Sequence, residues 1–573
     1  MGMIKRSWNI KKPNKEVQNL LSRELNISPA ISQVLINRGI KEVEAAHRFL
    51  SPSLSQLHSP LMMKDMEKAV ERIVKAISKN EKIMIYGDYD VDGVTAISIL
   101  ITFLHEINAD VSFYIPDRLS EGYSLNSDAL ERIKGLGTGL IITVDCGITD
   151  SQEVSFAQNN GMDVIITDHH EIPDELPPAY AILNPKQRGC GFPFKSLAGV
   201  GVTFYLVIAL RTRLREMGFW KDRIVPNLKE YLDLVALGTI ADIVPLIDEN
   251  RIFVKVGLEQ LTKSSRPGIV ALKEVSELKY AAITSGMVGF RLAPRINAAG
   301  RLGKADDSVR LLTTNDLKEA KQIAEVLDSE NTERQHVEER IVKEAMKAVE
   351  DNDDFLHGRA IVLASPNWHP GVIGIAASRL VDEYYKPTIM ISLDGKIGKG
   401  SARSIESFHL YEGLRDCAFL LEGFGGHKYA AGLTIHEKNI PEFQNAFEEI
   451  VKKTLSEEDF IPKVHIDAQI PLKILTEKFI RDLEILSPFG PSNPEPTFCS
   501  DILSVSYSGI VGNGHLKLKV KEDKVVCDAI GFGMGKELPV AEEKIRAAFV
   551  PRINDWQGIR TVQLKLKDIQ VVS

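Results

Sequence analysis

From residue 82 onward, short apolar runs alternate with stretches of helical period. "KIMIYGD" (82–88) leads into "GVTAISILITFLHEI" (93–107), then "DVSFYIP" (110–116), "GLIITVDCG" (139–147), a helix from Ser151, and "MDVIITDHH" (162–170). The runs are continuous rather than alternating, the pattern of parallel strands buried on both faces. Strands joined by helices in this way predict a doubly wound α/β domain. "NLKEYLDLVALGTIADIVPL" (227–246) reads as an apolar helix up to Asp242. Residues 313–350 hold no Gly or Pro and read as one or two long exposed helices, their charges a solvated face. A second α/β unit starts at "GRAIVLASPNWHPGVIGIAASRL" (358–380), and "SPFGPSNPEPTF" (487–498) is punctuated like a linker. Beyond it "HLKLKV", "RAAFV" and "TVQLKLKDIQVV" alternate with period two, predicting a small antiparallel sheet or barrel. The expected division is a helical lead-in (1–75), a first α/β domain (76–312), a helical linker (313–350), a smaller α/β domain (351–455) and a β domain (456–573).

Composition changes this picture little. A chain of 573 residues, 44% hydrophobic and 26% charged, is ordinary globular material for three or four domains. Its five cysteines, Cys146, Cys190, Cys417, Cys499 and Cys527, form no CxxC pair. That argues against a zinc site or disulfide framework and for a reducing cytoplasm. The N-terminus has basic residues but no apolar h-region, and no run of about 18 apolar residues exists to span a membrane. A net charge of -8 gives no hint of a nucleic-acid binder, nor does it exclude one, because phosphate grooves are local features.

The chemistry concentrates at strand ends. Asp88, Asp90 and Asp92 fall within five residues directly behind an apolar run. Asp145 ends the run "LIITVD", Asp168, His169 and His170 end "VIITDHH", and Asp242 ends the stretch "GTIAD". Singly, each is explained as a helix cap or a satisfied core histidine. Ligands of open parallel sheets sit beyond the carboxyl ends of the strands, and capping does not account for so many acids at one edge. Clustered carboxylates need a counter-charge, which divalent cations supply. Oxygen ligands with a minority of imidazole suit Mn²⁺ or Mg²⁺. The ligands are too many for one ion; two ions about 3.5–4 Å apart, bridged by a shared Asp, are the arrangement that attacks phosphate esters.

"DYDVDG", "VDCG", "TDHH" and "GTIADIVPL" resemble the four motifs of the DHH phosphoesterase superfamily. "RLAPRINAAGRLG" (291–303), "NWHPGVIGIAASRL" (367–380) and "GFGGHKYAAGLTI" (423–435) are similar to the RecJ family of single-stranded-DNA exonucleases, including its DHHA1 domain. The terminal β segment resembles that family's OB fold. The likeness runs in order along nearly the whole chain. It implies a DHH doubly wound parallel-sheet domain, a long helical linker, a smaller α/β DHHA1 domain and a C-terminal OB-like β-barrel.

By that resemblance Asp88, Asp90, Asp92, Asp145, His169 and Asp242 hold the metals, with Asp145 as the bridge and Asp88 either a ligand or a loop-orienting group. His170 lies near the scissile phosphate, and Asp168 orients the loop or a histidine tautomer. Such enzymes capture a 5′ end and degrade 5′→3′; Arg118, Arg301, Ser401 and Arg403 match their end-binding positions. Arginine suits that task through its planar fork. Read without the resemblance, Arg118 is a solvated surface arginine. Gly425 and Gly426 permit unusual φ angles and exposed N–H groups, and His427 can donate to a phosphate. His369 is a weaker candidate, and Trp368 reads equally as core. In the β domain the lysines of "HLKLKVK" are either a solvated face or a cationic groove, and Trp556 is a candidate stacking residue.

The implied substrate is single-stranded DNA with a free 5′ end, in repair and recombination, with a helicase or single-strand-binding protein as possible partner, no membrane, and a monomeric enzyme. A domain that many members carry after the OB fold is expected to be absent, since the sequence stops at Ser573. Two other readings remain at this stage: a DHH/DHHA1 phosphodiesterase of short oligonucleotides or cyclic dinucleotides, and a non-catalytic replication scaffold. Chain length and the OB-like segment count against the first, and the intact ligand set against the second.

Overall fold

The computed structural model describes residues 6–118, 121–122, 124–539, 542–556 and 558–572, with the side chains of residues 302, 556 and 559 outside that description. The chain opens on a short strand, β1 (Ser7–Ile10). Five strands then form the first sheet: β2 (Lys82–Gly87), β3 (Val111–Tyr114), β4 (Thr138–Val144), β5 (Asp163–Thr167) and β6 (Ala181–Leu183). They are all parallel, in the order β3-β2-β4-β5-β6. Each continuous apolar run feeds two cores at once, as a strand buried on both faces must. Ile83 and Ile85 of β2 pack on one face with helices Met66–Ser78, Val91–Glu106 and Gly199–Glu216, while Met84 and Tyr86 pack on the other with Ser127–Gly135 and Ser151–Asn159. The boundary expected at residue 75 falls inside the helix Met66–Ser78, whose apolar face (Ala69, Val70, Ile73) belongs to this core.

The charged stretch after residue 313 is a single helix, Leu317–Glu350, but it is not an exposed linker. Ala320, Ile323, Ala324 and Leu327 pack into the first domain's core, and Ile341, Ala345 and Val349 into that of the second. Between them Asn331, Arg334 and Glu338 continue the same stripe in polar form, hydrogen-bonded to one another. The helix is a shared wall of both domains. Its buried stripe escaped notice because it is narrow and three of its members are polar.

The second domain holds a mixed sheet of β7 (Ile361–Ser365), β8 (Thr388–Asp394), β9 (Ile397–Arg403), β10 (Leu421–Gly426) and β11 (Ala430–His436), in the order β10-β11-β9-β8-β7. Next come β12 (Lys463–Ile466), β13 (Ala468–Gln469) and β14 (Phe498–Cys499), then β15 (Leu503–Val511), β16 (His515–Glu522), β17 (Val525–Gly531), β18 (Lys544–Trp556) and β19 (Ile559–Val571). From β15 the pairing runs to β16, β17, β19, β18 and back to β15, a ring of five strands as in an OB fold.

Two features of this end depart from the sequence reading. The lead-in is more than helical: β1 pairs in parallel with β12, and helices Lys15–Leu25, Pro29–Asn37 and Val43–Leu50 share a core with the ring strands. The Pro-rich stretch 487–498 is docked rather than free. Buried Arg251, its ring partner Phe49 3.8 Å away, donates to the carbonyls of Phe49, Ile485, Ser487 and Pro488. The Leu246 amide donates to Pro491 O at 2.9 Å, and the Ser285 hydroxyl to Phe489 O at 2.6 Å.

Candidate active site

The carboxyl ends of β2, β4 and β5, with the end of helix Leu232–Ala241, bring every expected metal ligand to one place. Asp90 caps helix Val91–Glu106, its Oδ1 accepting from the Asp92 and Gly93 amides at 2.8 and 3.1 Å. Asp92 reaches across to the start of helix Gly199–Glu216, accepting from the Gly199 amide at 2.6 Å and the Val200 amide at 2.9 Å. Two unused helix donors thereby fix a carboxylate. Asp145 leaves β4 with φ of 61°, turning its side chain into the cluster. His169 Nε2 stands 3.1 Å from Asp145 Oδ1, 3.5 Å from Asp242 Oδ2 and 4.0 Å from Asp92 Oδ2. Ligand atoms of Asp88, Asp90 and Asp145, of Asp92, His169 and Asp242, and of Asp145, His169 and His170 form three groups, each within 4.8 Å.

Asp168 does a different job. It accepts from the amides of Ile148, His169 and His170 and from His170 Nδ1 at 2.7 Å, so it orients the loop and one ring.

The electrostatics are those of a site built for cations. Burial first, then the other aspartates, hold Asp88, Asp145 and Asp242 well above the usual carboxylate range and Asp92 up to about 7. Burial, then the His170 charge, pushes His169 down to about 3. Burial opposes a charge on His170, but the bond to Asp168 outweighs it and raises its affinity for a proton. Asp88 Oδ1, His169 Nε2 and Asp242 Oδ2 are buried without a hydrogen-bond partner among the described residues. Buried carboxylates and a neutral imidazole with orphaned atoms pointing inward fit a pair of hard divalent ions.

The expected end-binding residues also converge. Arg118, Arg301, Ser401 and Arg403, with Lys399, Gly426 and the Pro370–Gly371 turn, line a cavity of about 430 Å³ between the first two domains. No carboxylate pairs with Arg118, Arg301 or Arg403 within 4.0 Å among the described residues. Burial, then the charges of Arg118, Arg334 and Arg403, brings Arg301 down to about 10. Cations gathered without counter-ions mark an anion site. Tyr89 joins the two places: it lies between Asp88 and Asp90 in sequence, and its ring faces the Arg118 guanidinium at 5.1 Å.

Of the "GFGGH" residues, Gly426 has φ of 142°, and a Cβ there would meet Ala430 O at 2.5 Å. Gly425 does not share that conformation; it is ordinary strand, paired with Gly432. The His427 amide closes the hairpin on Ala430 O at 2.8 Å, with its side chain exposed. His369 Nδ1 accepts from the Gly371 amide at 3.1 Å, and the Gly371 carbonyl accepts from Arg301 Nη1 at 2.7 Å. Trp368 is core, bonded to Glu344. Lys517, Lys519 and Lys521 lie exposed along β16. Trp556 ends β18, and its side chain lies outside the described residues.

Sequence reasoning missed Gly199. A Cβ there would come within 2.6 Å of Asp145 Oδ1. Its only signal is the glycine spacing of "LAGVGV", easily taken for helix packing.

Fold and cluster together define a DHH-family protein: the chain matches the DHH family, N-terminal domain, over residues 82–239 and the DHHA1 domain over residues 357–453. Residues 466–568 match the RecJ OB domain. The chain is 41% identical to the single-stranded-DNA-specific exonuclease RecJ of Bacillus subtilis (strain 168), over 99% of this chain and 71% of that protein. Its identity to the Escherichia coli (strain K12) RecJ is 34%, over 97% and 98%. The crystal structure of RecJ in complex with Mn²⁺ from Thermus thermophilus superposes with a TM-score of 0.85 at 31% identity, over 98% of this chain and 79% of that one. The chain belongs to the RecJ family of single-stranded-DNA-specific exonucleases.

Proposed function

We propose that this chain is a metal-dependent exonuclease that seats the 5′ end of a DNA single strand and releases nucleotides from it. The observation that carries the reading is the adjacency of the acidic cluster and the unpaired arginine cavity, joined through Tyr89. A terminal phosphate in the cavity would set the first linkage near the cluster.

Asp88, Asp90, Asp92, Asp145, His169 and Asp242 would hold the ions. A pair of Mn²⁺ or Mg²⁺ ions bound there supplies a water acidic enough to act as nucleophile near neutral pH, and positive charge for the phosphate oxygens. The protein's own groups do the rest. The Gly199 and Val200 amides keep Asp92 aimed inward. Asp168 fixes a proton on His170 Nδ1 and favours a second, so that ring brings positive charge to the leaving oxygen. Arg118, Arg301 and Arg403 grip the end phosphate and fix which linkage is cut.

Asp145→Ala tests the assignment. Cleavage should fall on the order of 10³-fold, about 4 kcal/mol of barrier, with unchanged circular dichroism. Calorimetric titration should count two Mn²⁺ per wild-type chain and fewer in the variant. Full activity in the variant would overturn the reading.

A further inference from the structure

The loop after β6 carries "NPK", residues 184–186, which has no part in the mechanism above. Buried Asn184 clasps the catalytic loop: its Nδ2 donates to the His170 carbonyl at 3.0 Å, and its Oδ1 accepts from the Lys186 amide at 2.9 Å. The Lys186 ammonium then lies 2.7 Å from Glu171 Oε1, one residue beyond His170. The lysine side chain is 27% exposed and that of Glu171 71% exposed. The cluster senses the lysine: its charge favours the Asp242 carboxylate and disfavours a charged His169. Glu171 in turn senses His427 from the DHHA1 hairpin. Paired to the residue next to His170, whose ring is grouped with Asp145 and His169, Lys186 stands at the partly exposed edge of the acidic cluster.

An ion pair whose carboxylate is this open is screened by water and does little to hold the fold. A strand entering between aspartates meets repulsion, and a cation held at that edge by a buried asparagine offsets it. We propose that Lys186 is a strand-binding residue, its ammonium leaving Glu171 to dock a backbone phosphate at the edge of the metal site. This rests on the exonuclease reading and adds a contact to it.

The test is equilibrium binding of a 5′-phosphorylated single-stranded DNA 12-mer in EDTA across a salt series, for wild type, Lys186→Gln, Lys186→Arg, Glu171→Gln and the remote Lys79→Gln. One lost phosphate contact lowers the salt slope by about 0.7. Lys186→Gln should show that drop and bind several-fold more weakly, Lys186→Arg should recover most of both, and Glu171→Gln should bind more tightly. Lys79→Gln, with the same charge change, should keep the wild-type slope. If Lys186 served only to pair with Glu171, Lys186→Gln and Glu171→Gln would shift binding in the same direction with the slope unchanged, and the proposal would fall. Wild-type protein that cleaves no single strand when Mn²⁺ is added would instead count against the exonuclease reading.

Discussion

At the scale of residues, the cluster is a set of charges that repel one another until a cation arrives. Asp88, Asp92, Asp145 and Asp242 are all held above the usual carboxylate range, Asp92 at about 7, first by burial and then by neighbouring aspartates, Asp90 among them. A raised folded pKa means the unfolded chain loses its protons first as pH climbs. The stability these groups contribute is therefore present in acid and lost as pH rises towards their raised folded values, about 7 for Asp92. His169, pushed down to about 3, works in the opposite sense, but only below its ordinary value of 6.5. As pH rises from 6.5 through about 7 the metal-free protein should therefore lose melting temperature, and saturating Mn²⁺ should abolish the loss. A differential scan in EDTA and in Mn²⁺ checks both. The arginine cavity makes a separate prediction. Arg301→Ala removes a charge-assisted hydrogen bond of about 1.5–3 kcal/mol, raising KM for 5′-phosphorylated strands roughly 10- to 100-fold. Strands ending in a 5′ hydroxyl should be far less affected, as paired steady-state assays would show.

Residues with polar side chains at strand ends were legible in the sequence, because five aspartates and two histidines at one sheet edge are more than helix caps and core histidines account for. Gly199 was not, since what it supplies is an N–H and the absence of a Cβ. The conformation of Gly426 was foreseen and that of Gly425 was not, because a Gly-Gly pair does not say which member turns.

At the scale of elements, the site exists because parallel strands end together and helix Gly199–Glu216 begins beside them. Continuous apolar runs are a strong signal, so the parallel sheet and the helix ending at Asp242 were readable in advance. The buried stripe of Leu317–Glu350 was not, for charge dominates its composition while burial is decided by a few positions spaced three and four apart. The helix start makes a prediction of its own. Gly199→Ala pushes a methyl group to within 2.6 Å of Asp145 Oδ1, so one of them must move. Misplaced ligand support typically costs 10- to 100-fold. Mn²⁺ affinity by calorimetry and cleavage rate should both fall by about that much, with the helix retained in circular dichroism.

At the scale of the whole molecule, the first and last segments share one core, and a buried arginine ties that module to the catalytic domain. Neither was legible, because pairing between residues some 450 positions apart leaves no local pattern. Arg251 has no carboxylate partner among the described residues; it serves four carbonyls, three of them in residues 485–488. Arg251→Ala strands those acceptors and should cost about 3 kcal/mol or more, read as a lower melting temperature and faster proteolysis near residue 490.

The central claim is that this chain removes nucleotides from the 5′ end of single-stranded DNA with divalent metal. Linear single strands labelled at the 5′ end, incubated with Mn²⁺ or Mg²⁺ beside duplex and circular controls, test it most directly. Immediate release of the label in mononucleotides, with circles intact, is the predicted result. A ladder of shortening fragments that keep the 5′ label would mean attack from the 3′ end and would contradict the account.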